Sequence, residues 1–347
     1  MKNRFLSLVA MALIIRAAPA LASGGIVNGI VADLIVAADK SGDFTSVQQA
    51  INSIPTDNKR PKVIFVTPGK YYEKLTIKPA FVHLIGEDSK KTILTYDDYA
   101  KKAGPNGPIG TFGSLSVSVT GNDFEADNIT FENTAAPRHE VGQAVALGVQ
   151  SDRAVFRNCR MLANQDTLYA QSGRQYYYQC EICGDVDYIF GNATAVFDNC
   201  HINSTGRGYI TAQSRTDGSQ TAGYVLTDCK VTAASSVAGG SVFLGRPWRP
   251  YARVVYLHCD LGPQIDPVGW RKWRPNDTTD TTAFYAQYAC TGPGANTSQR
   301  VAWSHQLTQA EAQKFSKENF LKGDDGWAPW KGNSQVSAAS QPTSRPD

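Results

Sequence analysis

The sequence predicts an all-β fold, a right-handed parallel β-helix in which each turn of the chain forms one rung of a solenoid. Short segments alternate apolar and polar residues, as strands do, and the middle of the chain lacks long helical patterns. One local pattern recurs there, with an apolar residue two positions after each cysteine, around Cys159, Cys180, Cys200, Cys229 and Cys259. The two shorter intervals, from Cys159 to Cys180 and on to Cys200, predict near-minimal rungs, and the two longer ones that follow predict rungs with loops.

The N-terminus predicts an export signal over residues 1–22. Lys2 and Arg4 form a basic start, Phe5–Ile15 is an apolar run too short to span a bilayer, and Ala20–Ala22 fits a cleavage site. We therefore expect a secreted protein, extracellular or periplasmic, with no membrane association after cleavage. Cleavage would remove three basic residues and leave 31 basic and 31 acidic side chains, which gives no support to nucleic-acid binding.

The rest of the chain is predicted to form a single domain over residues 31–332, because no change of composition divides it. Asp43–Ile54 predicts an N-terminal helix that covers the open end of the solenoid, since its apolar residues share one face and Pro55 follows. Gln309–Leu321 predicts a short C-terminal helix. Residues 333–347 are rich in Ser, Gln and Pro with few large apolar side chains, so we expect a disordered tail.

Seven cysteines in an exported chain would ordinarily indicate disulfides, but the number is odd and five of them occupy the same place in the repeat. We expect buried thiols that stack inside the coil, with a bridge between adjacent rungs as the alternative. Cys180 and Cys183 form a C-x-x-C, but no second such motif accompanies it, and the five histidines have no ligand spacing. The sequence therefore predicts neither a metal nor a cofactor.

Two aspartates, Asp166 and Asp187, are separated by the same interval as Cys159 and Cys180, which is the length of one short rung. Stacked parallel strands are ~4.8 Å apart, so the two carboxylates should be neighbours on adjacent rungs. Gln143 precedes Gln165 by nearly the same interval, which places two amides beside them. Such a set suits acyl transfer, because one carboxylate can attack, the other can donate a proton, and amides can stabilise an oxyanion. Spacing alone also fits a structural network, a calcium site or a retaining glycosidase.

Four segments that contain these residues resemble the signature segments of the pectin methylesterases, or pectinesterases. They follow the family's order and spacing: Gly142–Leu147, Gln165–Tyr169, Gly184–Ala193 and Leu244–Trp248. Asp39–Phe44 and Ile210–Arg215 are also similar to family segments, and the resemblance extends over roughly residues 32–330. It implies a β-helix carbohydrate esterase that converts methylated homogalacturonan (pectin) to pectate and methanol without a metal.

The resemblance also implies the roles of individual residues. Asp187 would be the nucleophile on the methyl ester carbonyl of a galacturonate unit. Asp166 would protonate the departing methanol and then, as a carboxylate, activate water against the acyl-enzyme. Gln143 and Gln165 would bind the oxyanion, and Arg246 would keep Asp187 ionised and oriented, a task suited to its bidentate guanidinium.

Aromatic residues in the signature segments are candidates for substrate binding. Trp248 would present a ring face to a sugar. Tyr188 and Phe190 either line the cleft or pack in the core.

Three positions depart from the family's usual pattern. Gly148 stands where Arg is frequent, Tyr188 where Phe is usual, and Asp185 where a neutral residue is common. On one strand Asp185 would face the same side as Asp187, and would raise the pKa of Asp187 unless Arg246 compensates.

The competing functions are a polysaccharide lyase or glycosidase on the same fold, a non-catalytic carbohydrate-binding solenoid, and a thioesterase-like enzyme for another acyl ester. A lyase needs calcium and a basic catalytic residue, whereas the central groups here are two aspartates and two glutamines. A binding protein would be expected to lack one of Asp166, Asp187 and Arg246. The sequence predicts pectin as the substrate and a monomer as the working form.

Overall fold

The computed structural model describes residues 25–331. The predicted signal peptide, residues 1–22, and the predicted tail, residues 333–347, lie outside the described residues. Residue 332 does too, so the extent of the predicted single domain stays a prediction. Between residues 25 and 331, no helix is long and apolar enough to cross a membrane.

Short strands make up most of the regular structure. The first fourteen strands are β1 (Gly25–Val27), β2 (Ile30–Ala32), β3 (Leu34–Val36), β4 (Lys62–Val66), β5 (Gly69–Tyr72), β6 (Leu75–Ile77), β7 (Val82–Gly86), β8 (Thr92–Tyr96), β9 (Ala103–Gly104), β10 (Gly107–Pro108), β11 (Val117–Val119), β12 (Glu125–Asp127), β13 (Thr130–Asn133) and β14 (Leu147–Val149). The remaining strands are β15 (Ala154–Arg157), β16 (Arg160–Leu162), β17 (Leu168–Ala170), β18 (Arg174–Tyr178), β19 (Glu181–Gly191), β20 (Thr194–Asp198), β21 (His201–Gln213), β22 (Gly223–Thr227), β23 (Lys230–Ala233), β24 (Val242–Gly245), β25 (Arg253–Leu257), β26 (Asp260–Leu261), β27 (Phe284–Tyr288) and β28 (His305–Gln306).

The helices are all short. The α-helices are α1 (Val47–Asn52), α2 (Gly110–Gly113), α3 (Arg138–Val141), α4 (Gln309–Ala312) and α5 (Lys317–Phe320). Single 3-10 turns lie at Thr279–Thr281, Pro293–Ala295, Gln313–Phe315 and Pro329–Lys331.

Two large parallel sheets wind together into the predicted right-handed parallel β-helix, which confirms the fold class. The back sheet contains β3, β4, β7, β12, β15, β18, β20, β22, β25, β27 and β28. The second sheet has 13 strands, and the long strands β19 and β21 join its two rows. The cleft row of this sheet consists of β6, β11, β14, β17, the C-terminal halves of β19 and β21, and β24. Its register pairs Leu147 with Leu168 and Leu168 with Ile189, so one turn here is as long as the interval from Asp166 to Asp187.

In each repeat the cysteine, or Ile129 in its place, follows a residue whose backbone is left-handed. These residues have φ between 50° and 57°: Asn128, Asn158, Gln179, Asn199, Asp228, His258 and Ala289. Asn and Asp are the non-glycine residues that adopt this conformation most readily, which explains their frequency in the repeat. All seven cysteines are free and six are buried, so the prediction of buried thiols is confirmed. Cys290 follows the left-handed Ala289 and is a sixth cysteine of this repeat, whereas the sequence pattern identified five.

The core repeats from rung to rung in the same way. The rings of Phe156, Tyr177 and Phe197 stack with centroid distances of 4.9 and 4.8 Å, close to the spacing of stacked strands. Such pairs stabilise a fold by roughly 0.5–1.5 kcal/mol each beyond the area that they bury.

The N-terminal helix exists but is shorter than predicted. It begins at Val47 rather than Asp43, because Ser46 takes the N-cap position and the Glu73 carboxylate accepts hydrogen bonds from the amides of Val47 and Gln48 at 2.9 and 3.0 Å. The residues predicted for its apolar face are all buried: Val47, Ala50, Ile51 and Ile54.

The prediction of one helix over Gln309–Leu321 is wrong. α4 runs into a 3-10 turn, and the chain is extended at Ser316 with ψ of 150° before α5 begins. Ser316 then caps α5, since its hydroxyl accepts a hydrogen bond from the Asn319 amide. The two helices pack on the outer face of the back sheet, where Lys317 Nζ lies 2.6 Å from Asp198 Oδ2.

Candidate active site

The two predicted carboxylates lie on adjacent rungs of the cleft row. Asp166 and Asp187 stand two residues before the paired Leu168 and Ile189, and the amide of Asp166 donates to the carbonyl of Val186 at 3.0 Å. Both aspartates have left-handed backbones, with φ of 65° and 52°. Sparsely populated backbone conformations cluster at functional sites, and two on neighbouring rungs mark this position within an otherwise regular row.

The two glutamines complete the predicted stack. Gln143 and Gln165 form a parallel bridge, so Gln143, then Gln165 with Asp166, then Asp187 occupy three consecutive rungs. The glutamine side chains are partly exposed, whereas Asp166 and Asp187 are only 8% and 5% exposed. The hydrogen bonds found between residues 25 and 331 include none from the Gln143 side-chain amide, so this N–H group is free to bind an oxygen of a ligand.

Arg246 binds Asp187 through two hydrogen bonds. Its Nε donates to Asp187 Oδ1 at 2.9 Å and its Nη2 to Oδ2 at 2.6 Å, a bidentate pair. The guanidinium lies between two aromatic rings, 4.0 Å from the centroid of Tyr209 and 4.1 Å from that of Trp273. These cation–π contacts fix the plane of the guanidinium and therefore the carboxylate that it holds.

The surroundings act differently on the pKa values of the two carboxyl groups. Burial raises the pKa of Asp166 well above its usual range, and the nearby Asp187 raises it further. Burial also raises the pKa of Asp187, but the hydrogen bonds and charge of Arg246 oppose that rise. Because Arg246 binds only Asp187, we assign the ionised form to Asp187 and the protonated form to Asp166.

A row of aromatic rings lies along the cleft beside these groups. Phe190 stacks on Tyr169 at 4.6 Å and lies 6.0 Å from Trp248, which in turn lies 6.4 Å from Trp273. Phe112 extends the row at 5.1 Å from Tyr169 and is 59% exposed. Phe190 is nearly buried and supports Trp248, which is partly exposed, so Trp248 presents the accessible ring. Sequence reasoning missed Tyr169, Phe112 and Trp273, because loops and neighbouring rungs bring them together.

Of the two places expected for Tyr188, cleft or core, the structure shows the core. Its side chain is fully buried in the coil, and its hydroxyl makes a 3.0 Å hydrogen bond with Ser204. The left-handed backbone at Asp187 breaks the strand alternation, so Tyr188 and Ile189 both belong to the core.

Gly148 has a packing explanation. A Cβ at this position would lie 2.2 Å from Cδ2 of Leu115. Leu115 and Tyr169 pack in the same apolar cluster and take up the space beside it.

The third carboxylate, Asp185, has a partner that the sequence did not reveal. Its Oδ2 lies 2.6 Å from Nε of Arg138, in α3. Burial raises the pKa of Asp185, Arg138 opposes the rise and Asp187 adds to it. Arg138 lies much earlier in the chain, in a loop outside the signature segments, so no spacing pointed to this pair.

One group of side chains in the described region has donors for a metal ion. His83, Glu125 and Asp127 lie together on the back sheet, away from the cleft row. Arg157 Nη1 already contacts both carboxylates, at 2.7 Å from Glu125 and 3.6 Å from Asp127. A resident cation beside the carboxylates makes this cluster a poor metal site.

Comparison with known proteins gives a consistent result. The pectinesterase family profile matches residues 33–324. Pectinesterase 31 of Arabidopsis thaliana is 41% identical over 302 residues, 85% of this chain and 93% of that protein. Pectinesterase 2 of Citrus sinensis is 40% identical over 311 residues, 86% of this chain but 59% of that protein, so the chain spans a little over half of it. The solved pectin methylesterase from carrot is similar in structure, with a TM-score of 0.80 at 35% identity over 91% of this chain and 98% of the carrot chain.

Proposed function

Because this chain belongs to the pectinesterase family, the carboxylic ester hydrolases that de-esterify pectin, we propose that its reaction uses Asp187 as the nucleophile and Asp166 as the general acid and base. The observation that carries the assignment is the bidentate pair of Arg246 with Asp187. Asp166, equally buried one rung away, has no such partner among residues 25–331. An anion is therefore stabilised at Asp187, and a proton at Asp166.

The first half of the reaction forms an acyl-enzyme. A carboxylate oxygen of Asp187 attacks the carbonyl carbon of the galacturonate methyl ester, and the carbonyl oxygen becomes an oxyanion. The side-chain amides of Gln143 and Gln165 donate hydrogen bonds to that oxyanion. The tetrahedral intermediate collapses as the bond to the methoxy group breaks, and Asp166 gives its proton to the departing methanol.

The second half restores the enzyme. Asp166, now a carboxylate, accepts a proton from water while the water oxygen attacks the acyl carbon. Collapse of the second tetrahedral intermediate releases the galacturonate carboxylic acid and frees the Asp187 carboxylate. Asp166 is protonated again, so both groups return to their starting states.

The aromatic row is proposed to hold the polysaccharide. Trp248 is the accessible ring for a sugar face, and Phe190 supports it from below. Tyr169 and Phe112 continue the row toward the N-terminal rungs, which fits an extended chain of sugars rather than a single unit. Family membership disfavours the lyase, the glycosidase and the non-catalytic solenoid.

The decisive experiment is methanol release from highly methylated pectin by the protein and by two variants. Asp187→Ala should abolish release, because the variant lacks the carboxylate that attacks the ester in the proposed mechanism. Ser204→Ala is the control, since this core hydroxyl hydrogen-bonds to Tyr188 and the variant should retain activity. Equal release from wild type and Asp187→Ala would contradict the assignment of the nucleophile, and activity in the presence of a chelator checks the metal-free mechanism.

We also propose that the chain is exported and acts as a monomer. Export is supported by the basic start and apolar run of residues 1–22, and by the extracellular location of pectin as a substrate. Mass analysis of the secreted product and its elution volume in size-exclusion chromatography test the two points separately.

A further inference from the structure

Asp185 is a buried carboxylate beside the nucleophile, with one arginine to compensate it. It precedes Asp187 by two residues on β19 and is 7% exposed. Its Oδ2 lies 2.6 Å from Nε of Arg138, while its Oδ1 is buried without a hydrogen-bond partner in the described part of the chain. A buried anion with an unsatisfied oxygen depends heavily on the single partner that it has.

No other cation replaces Arg138 at this position. Between residues 25 and 331, Arg138 is the only basic side chain in a salt bridge with Asp185. The neighbouring rung places Gly206 against Asp185, since a Cβ there would lie 3.0 Å from Cβ of Asp185. A glycine has no side chain with which to compensate the carboxylate. Arg246 is already bound through both nitrogens to Asp187. The charged and titratable groups that act on the two carboxylates, or are acted on by them, are Arg138, Arg246, Asp166, Tyr188 and Tyr285.

The charges in this part of the cleft are balanced. With Asp166 protonated, two carboxylates, Asp185 and Asp187, face two guanidinium groups, Arg138 and Arg246. Loss of the Arg138 charge would leave one uncompensated anion two residues from the nucleophile. The charge of Asp187 acts on Asp185, and a like charge favours the protonated form of its neighbour.

We propose that Arg138 is a positioning residue that neutralises Asp185 and thereby keeps Asp187 available as an ionised nucleophile. The proposal rests on the proposed function, in which Asp187 must be ionised to attack. Arg138 does not touch the reacting atoms, and it acts through Asp185. The loop that carries α3 thus supplies the positive partner of Asp185, which none of the four signature segments provides.

The test is the pH dependence of kcat/KM for methanol release, measured for the wild type, Arg138→Gln, Asp185→Asn and the double variant. Arg138→Gln should move the acid limb of the profile upward by about one pH unit. Asp185→Asn and the double variant should keep the limb near its wild-type position, because neither contains the uncompensated anion. Arg138→Lys, which retains the charge, should show at most a small shift.

A loop-holding role for Arg138 would give a different result. Arg138→Gln would then lower kcat/KM equally at every pH, and Asp185→Asn would not restore it. That outcome, or an unshifted limb in Arg138→Gln, overturns the proposal. If Arg138→Gln fails to fold, the neutral double variant must still fold and show the wild-type limb, and its failure overturns the proposal too. Activity in Asp187→Ala would instead contradict the proposed function, so the two failures are distinguishable.

Discussion

Burial of Asp166 suits its proposed role as the acid and works against stability at neutral pH. A raised pKa in the folded state favours the protonated carboxyl that the proposed mechanism requires. In the unfolded chain the same group ionises at about pH 4. The folded state therefore holds a proton that the unfolded state has lost. The associated stability is fully present below about pH 4 and declines as pH rises toward the folded pKa.

Asp166→Asn should remove this decline. We expect the variant to lose methanol release and to unfold at a higher temperature than the wild type at neutral pH, with a difference that grows as pH rises from 4. Thermal unfolding measured from pH 4 to 8 checks the expectation. Asp57→Asn, at an exposed position, is the control. A difference in unfolding temperature between wild type and Asp166→Asn that stays constant from pH 4 to 8 would contradict the raised pKa.

At the scale of residues, the period of the coil predicted the stack of aspartates and glutamines, and the family resemblance predicted Arg246 and Trp248. Asp166 and Asp187 were predictable because the interval between them equals one rung, and the register fixes which side chains stack. Arg138 was not, because a loop of irregular path delivers it to Asp185. Tyr188 could not be assigned to cleft or core from the sequence, because one left-handed residue before it ends the alternation on which face assignments depend.

Among the elements, the turn before each cysteine of the repeat requires a residue with a positive φ. Most of its positions hold Asn or Asp, which tolerate a positive φ, but Ala289 adopts φ of 50° with an ordinary Cβ. A left-handed conformation costs an alanine roughly 1–2 kcal/mol. This rung therefore carries backbone strain that the rungs with Asn or Asp at the same position relieve by composition.

Ala289→Gly should stabilise the protein. Relief of the strain outweighs the roughly 0.5–1 kcal/mol that glycine costs through the unfolded chain, so we expect a net gain of about 0.5 kcal/mol. The residue is exposed, so no packing is lost. Ala289→Val is the matched control and should destabilise, because branching at Cβ worsens the same conformation. Chemical denaturation of both variants measures the two signs, and a destabilised Ala289→Gly would refute the strain argument.

Element boundaries were less predictable than element positions. The apolar face of α1 is visible in the sequence, but its first residue depends on Glu73, which arrives from another part of the coil. The break in the helix at Ser316 also depends on a tertiary contact. Docking of α5 places Lys317 on the buried Asp198 of the back sheet, which a continuous helix over Gln309–Leu321 does not provide for.

Across the whole molecule, the C-terminal segment is tied to rungs far earlier in the chain. Arg174 in β18 donates to both carboxylate oxygens of Asp325, at 2.8 and 2.6 Å, and Arg153 lies 3.3 Å from Oδ2. The Arg174 hydrogen bonds hold the pKa of Asp325 below its usual range. The stabilisation is therefore present above about pH 4 and is lost as pH falls through the lowered folded pKa.

Asp325→Asn should lower the unfolding temperature at neutral pH, with the difference from wild type shrinking in acid. The effect should be modest because Asp325 is exposed, and exposed pairs are screened by solvent. Methanol release at neutral pH should be unchanged, since this segment lies on the back sheet. Asp324→Asn, its exposed neighbour, is the control. Unfolding temperatures of Asp325→Asn that match the wild type at every pH would show that the ion pairs of Asp325 contribute nothing to stability.

The column of free thiols has a consequence for how the protein is made. Since no covalent crosslink joins one rung to the next, the native state requires no oxidant, no isomerase and no particular order of pairing. Each rung can add to the one before it as soon as the chain emerges, because the information that aligns it is local side-chain stacking. The fold between residues 25 and 331 therefore contains no disulfide that a reducing compartment could break.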